Sequence, residues 1–319
     1  MFIGLDIGGT KILGALFDEE GKIKKREKRK AKASGGLETV QKEIFKTIDN
    51  LLENTKIREI KAIGIGVPGL VDRDGTITFS PNLPFRDYKL GEILRKKYNV
   101  PTFIGNDVNV STVGEWKFGS GSGNKNVLGV FVGTGIGGGL IVENNLYLGK
   151  NGSAGEIGHI NLDPNGPFCG CGSRGCLESL SSKTAIQKDI ESRIYRGEKS
   201  LITKSLKENG ILKSGPLKEA YMKKDDVVVD SVNKAAENLG RGLASLANIF
   251  NPEVIILGGG VMVELGKELM PIITREFQRF AMIDISKNTE IKMAKLGDDA
   301  GIIGALALAK EGMSKEMKD

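Results

Sequence analysis

Apolar residues near the start of the chain fall in two short runs. FIGLDI (Phe2–Ile7) and ILGALFD (Ile12–Asp18) flank the turn GGTK, which predicts a β-hairpin. The basic stretch from Lys22 to Lys32, KIKKREKRKAK, is predicted as a third strand. Lysine and arginine commonly guard an exposed sheet edge in this way, although such a run also looks like a nucleic-acid or nuclear-localisation segment. Leu37, Val40, Ile44, Ile48, Leu51 and Leu52 recur at helical spacing, with Ser34 as the expected cap. AIGIGV (Ala62–Val67) reads as a buried strand before a Pro-Gly turn. Pro101–Gly105 reads as another strand, running into Asn106, Asp107 and a helix to Trp116. Strands that alternate with helices predict an α/β sheet.

The second half repeats the opening. LGVFVGTGIGGGLIVEN (Leu128–Asn144) lies over IGLDIGGTKILGALFDE (Ile3–Glu19) without a gap, each a strand, a Gly/Thr turn and a strand. Two related halves are expected, with GSGSG (Gly119–Gly123) as the hinge. Residues 184–225 are Lys-rich and predicted as short surface helices and loops. Val232, Ala235, Ala236, Leu239, Leu243, Leu246 and Phe250 mark one long helix. EVIILGGGV (Glu253–Val261) is predicted as a buried strand ending in three glycines. The apolar helix AGIIGALALAK should pack back on the N-terminal half. The expected division is a smaller N-terminal domain of residues 1–118 plus 301–319, and a larger domain of residues 119–300.

Composition narrows the class. The 319 residues carry 46 Lys+Arg against 40 Asp+Glu, a net +6 that suits nucleotides and other anions as well as nucleic acid. With 39% hydrophobic and 27% charged residues the chain is globular, not disordered. No apolar run reaches ~18 residues and the N-terminus carries no secretory pattern, so a cytoplasmic protein without a membrane span is expected. The 44 glycines are about twice ordinary usage, which points to many tight backbone turns.

The candidate chemistry is concentrated. His159 is the only histidine, and Cys169, Cys171 and Cys176 are the only cysteines. All lie within HINLDPNGPFCGCGSRGC, and one imidazole with three thiolates matches a closed, structural Zn2+ site. Glu156 and Glu178 flank that loop. They suit general acid–base work or bidentate contacts to vicinal hydroxyls, and equally helix capping or surface charge. DIGGTK (Asp6–Lys11) offers main-chain amides, a hydroxyl, a cation and an acid able to hold hydrated Mg2+. GTGIGGG (Gly133–Gly139) offers a second such turn, and Gly258–Gly260 lets backbone approach a flat ring. No Walker sequence GxxxxGK[ST] occurs, and no GxGxxG sits in a clean strand–helix unit. Asp107, opening a helix, is either an N-cap or a base for a sugar hydroxyl. Asn82 and Asn106 are loop amides that read hydroxyls or complete Asx turns.

Taken together, LDIGGTK, GIGVPGLVD (Gly64–Asp72), NDVN (Asn106–Asn109), the Gly133–His159 stretch and CGCGSRGCLE (Cys169–Glu178) resemble the ROK family (repressor, ORF, kinase), most nearly its bacterial-type glucokinases. The resemblance implies the actin/hexokinase-like ATPase fold, two related α/β domains around a cleft. It implies Asp6, Gly9, Thr10 and Lys11 in one phosphate loop, Gly133, Thr134 and Gly135 in the other, and Gly259 beside adenosine. It makes Asp107 the catalytic base. It assigns Asn82, Asn106, Glu156, His159 and Glu178 to the sugar, with His159 serving zinc through one ring nitrogen. The implied reaction is transfer from MgATP to the 6-hydroxyl of glucose in glycolysis, by a homo-oligomer that is a dimer or tetramer. Fructose, mannose or an N-acetylhexosamine are the alternative sugars, and polyphosphate the alternative donor. A sugar-responsive transcriptional regulator is the alternative of another class. A regulator's helix-turn-helix would precede a phosphate loop that here begins by Asp6, and Lys22–Lys32 lacks interleaved aromatics, so no nucleic-acid partner is expected.

Overall fold

The computed structural model describes residues 1–316; the last three positions of the 301–319 segment, residues 317–319, lie outside the described residues. The predicted hairpin is present as β1 (Phe2–Ile7) and β2 (Lys11–Phe17), paired antiparallel with Ile3 opposite Leu16 and Ile7 opposite Ile12. β3 (Ile23–Lys30) is the predicted basic strand, antiparallel to β2. α1 (Leu37–Leu51) carries the apolar stripe of Val40, Ile44, Ile48 and Leu51, all buried. Its N-cap is Gly36, not Ser34. Ser34 lies in a short 3-10 turn, and the corner needs φ +81°, a conformation that glycine tolerates and serine does not.

β4 (Ala62–Val67) follows as a fully buried strand. A small meander of β5 (Leu70–Val71), β6 (Ile77–Phe79) and β7 (Arg86–Tyr88), with α2 (Leu90–Tyr98), fills a stretch that periodicity leaves unassigned. β8 (Thr102–Asn106) and α3 (Asp107–Phe118) match the predicted strand and helix. The repeat gives β9 (Val127–Val132) and β10 (Ile136–Val142), extended by β11 (Asn145–Leu146). Then come α4 (Leu177–Ser181), α5 (Lys183–Tyr195), α6 (Thr203–Asn209) and α7 (Ser214–Met222). The long helix α8 (Asp226–Phe250) starts earlier than its apolar stripe, because Asp225 caps it by accepting from the Val228 amide. β12 (Val254–Gly258), α9 (Gly260–Phe280), α10 (Ile283–Asn288), β13 (Glu290–Met293) and α11 (Ala300–Glu316) complete the chain.

Apart from the three-stranded β5-β6-β7 meander, the strands form two sheets of matching plan, β3-β2-β1-β4-β8 and β11-β10-β9-β12-β13. In each, the hairpin's first strand lies parallel to the next strand across: β1 pairs with β4, and β9 with β12. The repeat read from sequence is therefore a repeat of topology.

The chain divides into two compact units, Met1–Lys125, Gly139–Gly155 and Lys295–Asp319 forming the first, Asn126–Gly138 and Glu156–Ala294 the second. The first unit thus takes in the GSGSG segment and residues 139–155. Its core includes Ile3, Leu5, Ile7, Ile63 and Ile65 against Ile44 and Ile48. On the other face of the sheet Ile302, Leu306 and Ala309 of α11 pack with Phe2, Phe17 and Ala62, as the sequence predicts for that apolar helix. A Cβ on Gly304 would lie 1.8 Å from the Val110 carbonyl oxygen, so α3 and α11 cross in backbone contact.

β3 has two unlike faces. Toward α1, Lys25 pairs with Glu53 and Arg29 with Glu43, while Lys32 beyond the strand also pairs with Glu43. Lys32 and Arg29 hold the Glu43 carboxyl down to about 2. On the opposite face Arg26 pairs with Asp299, whereas Lys24, Lys28 and Lys30 are exposed and have no carboxylate partner among the described residues. Also among the described residues, no helix is long and apolar enough to cross a membrane.

Candidate active site

The first unit supplies an acid-lined turn. Between β1 and β2 the Gly8 amide donates to the Lys11 carbonyl at 2.8 Å, which closes the GGTK turn. Thr10 is exposed at its tip, and the Ala31 amide donates to the Thr10 carbonyl at 2.9 Å. Lys11 Nζ lies 3.8 Å from the Asp298 carboxylate. Asn82 is exposed beside this turn, where a Cβ on Gly9 would meet Asn82 at 3.0 Å.

Asp6, one residue before the end of β1, is packed under the start of α11, where a Cβ on Gly301 would come within 2.7 Å of its Cγ. Burial and the nearby Asp107 carboxylate raise its carboxyl to about 6, against the partial offset of Lys11. Two acids are thus held close enough to repel, an arrangement that a bound cation relieves.

Asp107 is the first residue of α3 and does not cap it. The cap is Asn106, whose Oδ1 accepts from the Val108 amide at 2.9 Å and the Asn109 amide at 3.0 Å. Asn106 Nδ2 donates to the Gly69 carbonyl at 2.9 Å. The N-cap reading of Asp107 therefore gives way to Asn106, and Asp107 lies in the first turn of α3, where its negative charge is favoured. Asp107 Oδ1 also accepts from the Val108 amide at 3.0 Å.

The second turn joins β9 to β10 in the second unit. The Gly133 amide donates to the Gly135 carbonyl at 2.9 Å, and Thr134 is exposed at the tip. The Lys183 amide donates to the Gly133 carbonyl at 2.9 Å, and Thr184 Oγ1 to the Thr134 carbonyl at 2.7 Å. Gly259, with φ +86°, precedes α9; a Cβ there would fall 2.5 Å from the Val132 carbonyl oxygen. Gly259 is thus needed for the close approach of the start of α9 to β9.

The cysteine loop lies in the same unit. Ligand atoms of His159, Cys169, Cys171 and Cys176 all fall within 4.8 Å of one another. The cysteines are free, and the Cys171 and Cys176 sulfurs are 3.7 Å apart, well beyond an S–S bond. His159 ends a single 3-10 turn whose cap is Glu156. Its Nδ1 is 3.6 Å from the Cys169 sulfur, while its Nε2 is 4.0 Å from the Glu156 carboxylate. The imidazole therefore has one nitrogen for the sulfur cluster and one on the side of Glu156. Burial pushes the Cys169 thiol up to about 12. A divalent ion that makes bonds of about 2.0–2.3 Å to N and S reverses that preference by stabilising thiolate, and three Cys with one His is a donor set that fits zinc.

Glu178 does more than flank this loop. On α4, its Oε2 accepts from the Ile136 amide at 2.9 Å, and its Oε1 lies 3.7 Å from the Cys169 sulfur. One carboxylate therefore joins the cysteine loop to the second glycine turn. The partners are 42 residues apart, so spacing in the sequence gives no sign of that bond.

A profile of the ROK family matches residues 2–312. The chain is 35% identical over 311 residues to a glucokinase from Thermotoga maritima, covering 97% of each chain. It is 32% identical over 304 residues to the xylose repressor of Bacillus subtilis, covering 95% of this chain and 75% of that one. Among solved structures it is similar to a ROK family glucokinase from Streptomyces griseus in complex with glucose and AMPPNP, with a TM-score of 0.83 and 34% identity over 98% of this chain and 99% of that one.

Proposed function

The chain belongs to the ROK family, and from that premise we propose that it is an ATP-dependent hexose kinase that converts glucose to glucose 6-phosphate. The observation that carries this reading is Asp107, held at the start of α3 by the Asn106 cap beside the raised acid Asp6.

In the proposed reaction the 6-hydroxyl oxygen of glucose attacks the γ-phosphorus of ATP. The bond from that phosphorus to the β-γ bridging oxygen breaks, and ADP leaves. Asp107 takes the hydroxyl proton, which makes the oxygen a better nucleophile as the new bond forms. Gly9, Thr10 and Lys11 supply amides, a hydroxyl and a positive charge to the phosphates. Gly133, Thr134 and Gly135 supply amides and a hydroxyl, and Gly259 allows close approach of adenosine. Asp6 is the residue that would hold hydrated Mg2+, which neutralises charge on the transferring group. Most of the rate gain is positioning and electrostatics.

Asn82, Asn106, Glu156, His159 and Glu178 are the proposed sugar contacts. Asn106 has one amide hydrogen left for this task after capping α3 and bonding Gly69. Glu178 keeps a further lone pair on Oε1, beside its contact with the Cys169 sulfur, once Oε2 has taken the Ile136 amide. His159, Cys169, Cys171 and Cys176 would hold structural Zn2+, which fixes the loop carrying Glu156 and Glu178 and takes no part in the chemistry. A cytoplasmic location, a glycolytic role, homo-oligomers and the lack of nucleic-acid or membrane partners belong to the same proposal and rest on the family resemblance.

The test is kcat/KM over a panel of hexoses and phosphate donors, with product identified as hexose 6-phosphate. Glucose with MgATP should lead the panel. A tenfold preference for fructose, mannose, an N-acetylhexosamine or polyphosphate replaces the substrate named here, and the absence of phosphoryl transfer to any hexose removes the reading.

A further inference from the structure

Glu115 is fully buried and has no lysine or arginine within ion-pair distance among the described residues. It stands near the C-terminal end of α3, the end where a negative charge is least favoured. A carboxylate in such a place is costly unless hydrogen bonds compensate it. Both oxygens are used. Oε2 accepts from the Ser120 amide at 3.0 Å, and Oε1 from the Leu296 amide at 2.7 Å. The backbone carbonyl of the same residue accepts from the Gly119 and Gly121 amides, each at 3.0 Å. The fit is close: a Cβ on Gly119 would lie 2.0 Å from Glu115 Oε2.

These partners are not arbitrary. Ser120 belongs to the segment that leaves α3, the helix that begins with Asp107. Leu296 belongs to the segment that enters α11, the helix whose Gly301 lies against Asp6. Beside the two hydrogen bonds, a Cβ on Gly114 would meet the Ala300 carbonyl oxygen at 2.8 Å. One side chain therefore locks the exit of the Asp107 helix to the entry of the helix behind Asp6. All of these residues lie within the first unit.

We propose that Glu115 is a positioning residue for phosphoryl transfer, which sets the placement of Asp107 and Asp6 through the ends of α3 and α11. The inference rests on the kinase reading above and adds to it a residue that touches neither substrate.

Two variants test it from opposite sides. Glu115→Gln keeps the shape but turns an amide NH2 toward one of the two N–H donors. Leu296→Pro deletes the donor; its φ of −80° is one that a proline ring accepts. Each is assayed well below its melting temperature, together with the double variant. Each single variant should lose kcat by about tenfold, the scale of a small misplacement of reacting groups. The Mg2+ requirement should rise, while KM for glucose stays within about twofold. The double variant should lose no more than either single one, because both remove one bond. Amide hydrogen exchange at Ser120 and Leu296 should be slow in the parent and faster in Glu115→Gln. Folded Glu115→Gln with the parent's kcat and Mg2+ requirement overturns the proposal and leaves a merely structural residue, as do losses that add in the double variant. If the parent phosphorylates no hexose, the kinase reading falls by itself. Slow exchange at both amides then still supports the lock, and fast exchange overturns it.

Discussion

The two glycine hairpins share a pattern and differ in where their charge comes from. Laid over one another, Asp6 in the first corresponds to Phe131 in the second, and Lys11 to Ile136. The first turn carries its own acid and its own cation. The second has neither and offers amides, the Thr134 hydroxyl and one borrowed carboxylate, Glu178, brought in from α4 to accept from the Ile136 amide. One copy of the repeated strand–turn–strand thus carries charged side chains of its own, Asp6 and Lys11. The other is a backbone cradle whose shape depends on a neighbouring loop.

Substitutions sharpen that contrast. The largest effect is expected at Asp107, whose negative charge helps to raise Asp6: Asp107→Ala should lower kcat by about 10³-fold. Glucose binding, measured by calorimetry, should stay within about tenfold, and near-normal turnover would remove the base from the mechanism. Asp6→Asn comes next, with a loss of about 10²-fold in kcat/KM for MgATP, whereas Phe131→Leu at the equivalent position should cost less than about threefold. Equal losses at both positions would break the contrast.

Asp6→Asn also has a stability signature. The Asp6 carboxyl is raised from 3.8 to about 6 on folding, so its ionised form opposes folding above that range. The destabilisation is absent below about pH 4 and full above about pH 6, on the order of 2–3 kcal/mol. In protein free of Mg2+, thermal melts should therefore show the variant more stable than the parent at pH 7.5 and equal to it at pH 4. The opposite sign would refute the electrostatic account of the first turn.

The second turn should respond instead to its neighbour. Elemental analysis is expected to find one zinc per chain, and strong chelation or Cys176→Ser should lower both the melting temperature and activity. A fully active, metal-free protein would contradict this. The smallest effects distinguish glycines within the turn. Gly135→Ala would place its methyl 2.3 Å from Glu178 Oε2 and should cost about tenfold in kcat/KM for ATP. Gly133→Ala meets no protein atom within 4 Å and should cost less than Gly135→Ala.

Much of this was legible in the sequence because its signals are local. Both hairpins, the basic strand and the apolar stripes of α1 and α8 follow from spacing within a few residues, and the four sulfur and nitrogen ligands lie within eighteen. What escaped depends on distant partners or on very short elements. β5, β6 and β7 have only two or three residues each, too few for a period to show. α9 contains Pro271, which interrupts the helical signal although the helix continues. Asp107 and Asn106 are both good caps on paper, and only the hydrogen bonds show which one serves. Glu115 gives no local sign, since Leu296 is 181 residues away.

The unequal faces of β3 have one more consequence. A strand at the margin of a sheet offers unpaired amides and carbonyls on which a stray chain can grow. Lys24, Lys28 and Lys30 stand along that margin without carboxylate partners among the described residues, and any identical strand approaching them would bring the same three ammonium groups. Stacking of copies into fibrils through this rim is opposed by mutual repulsion, a safeguard that strong salt would weaken.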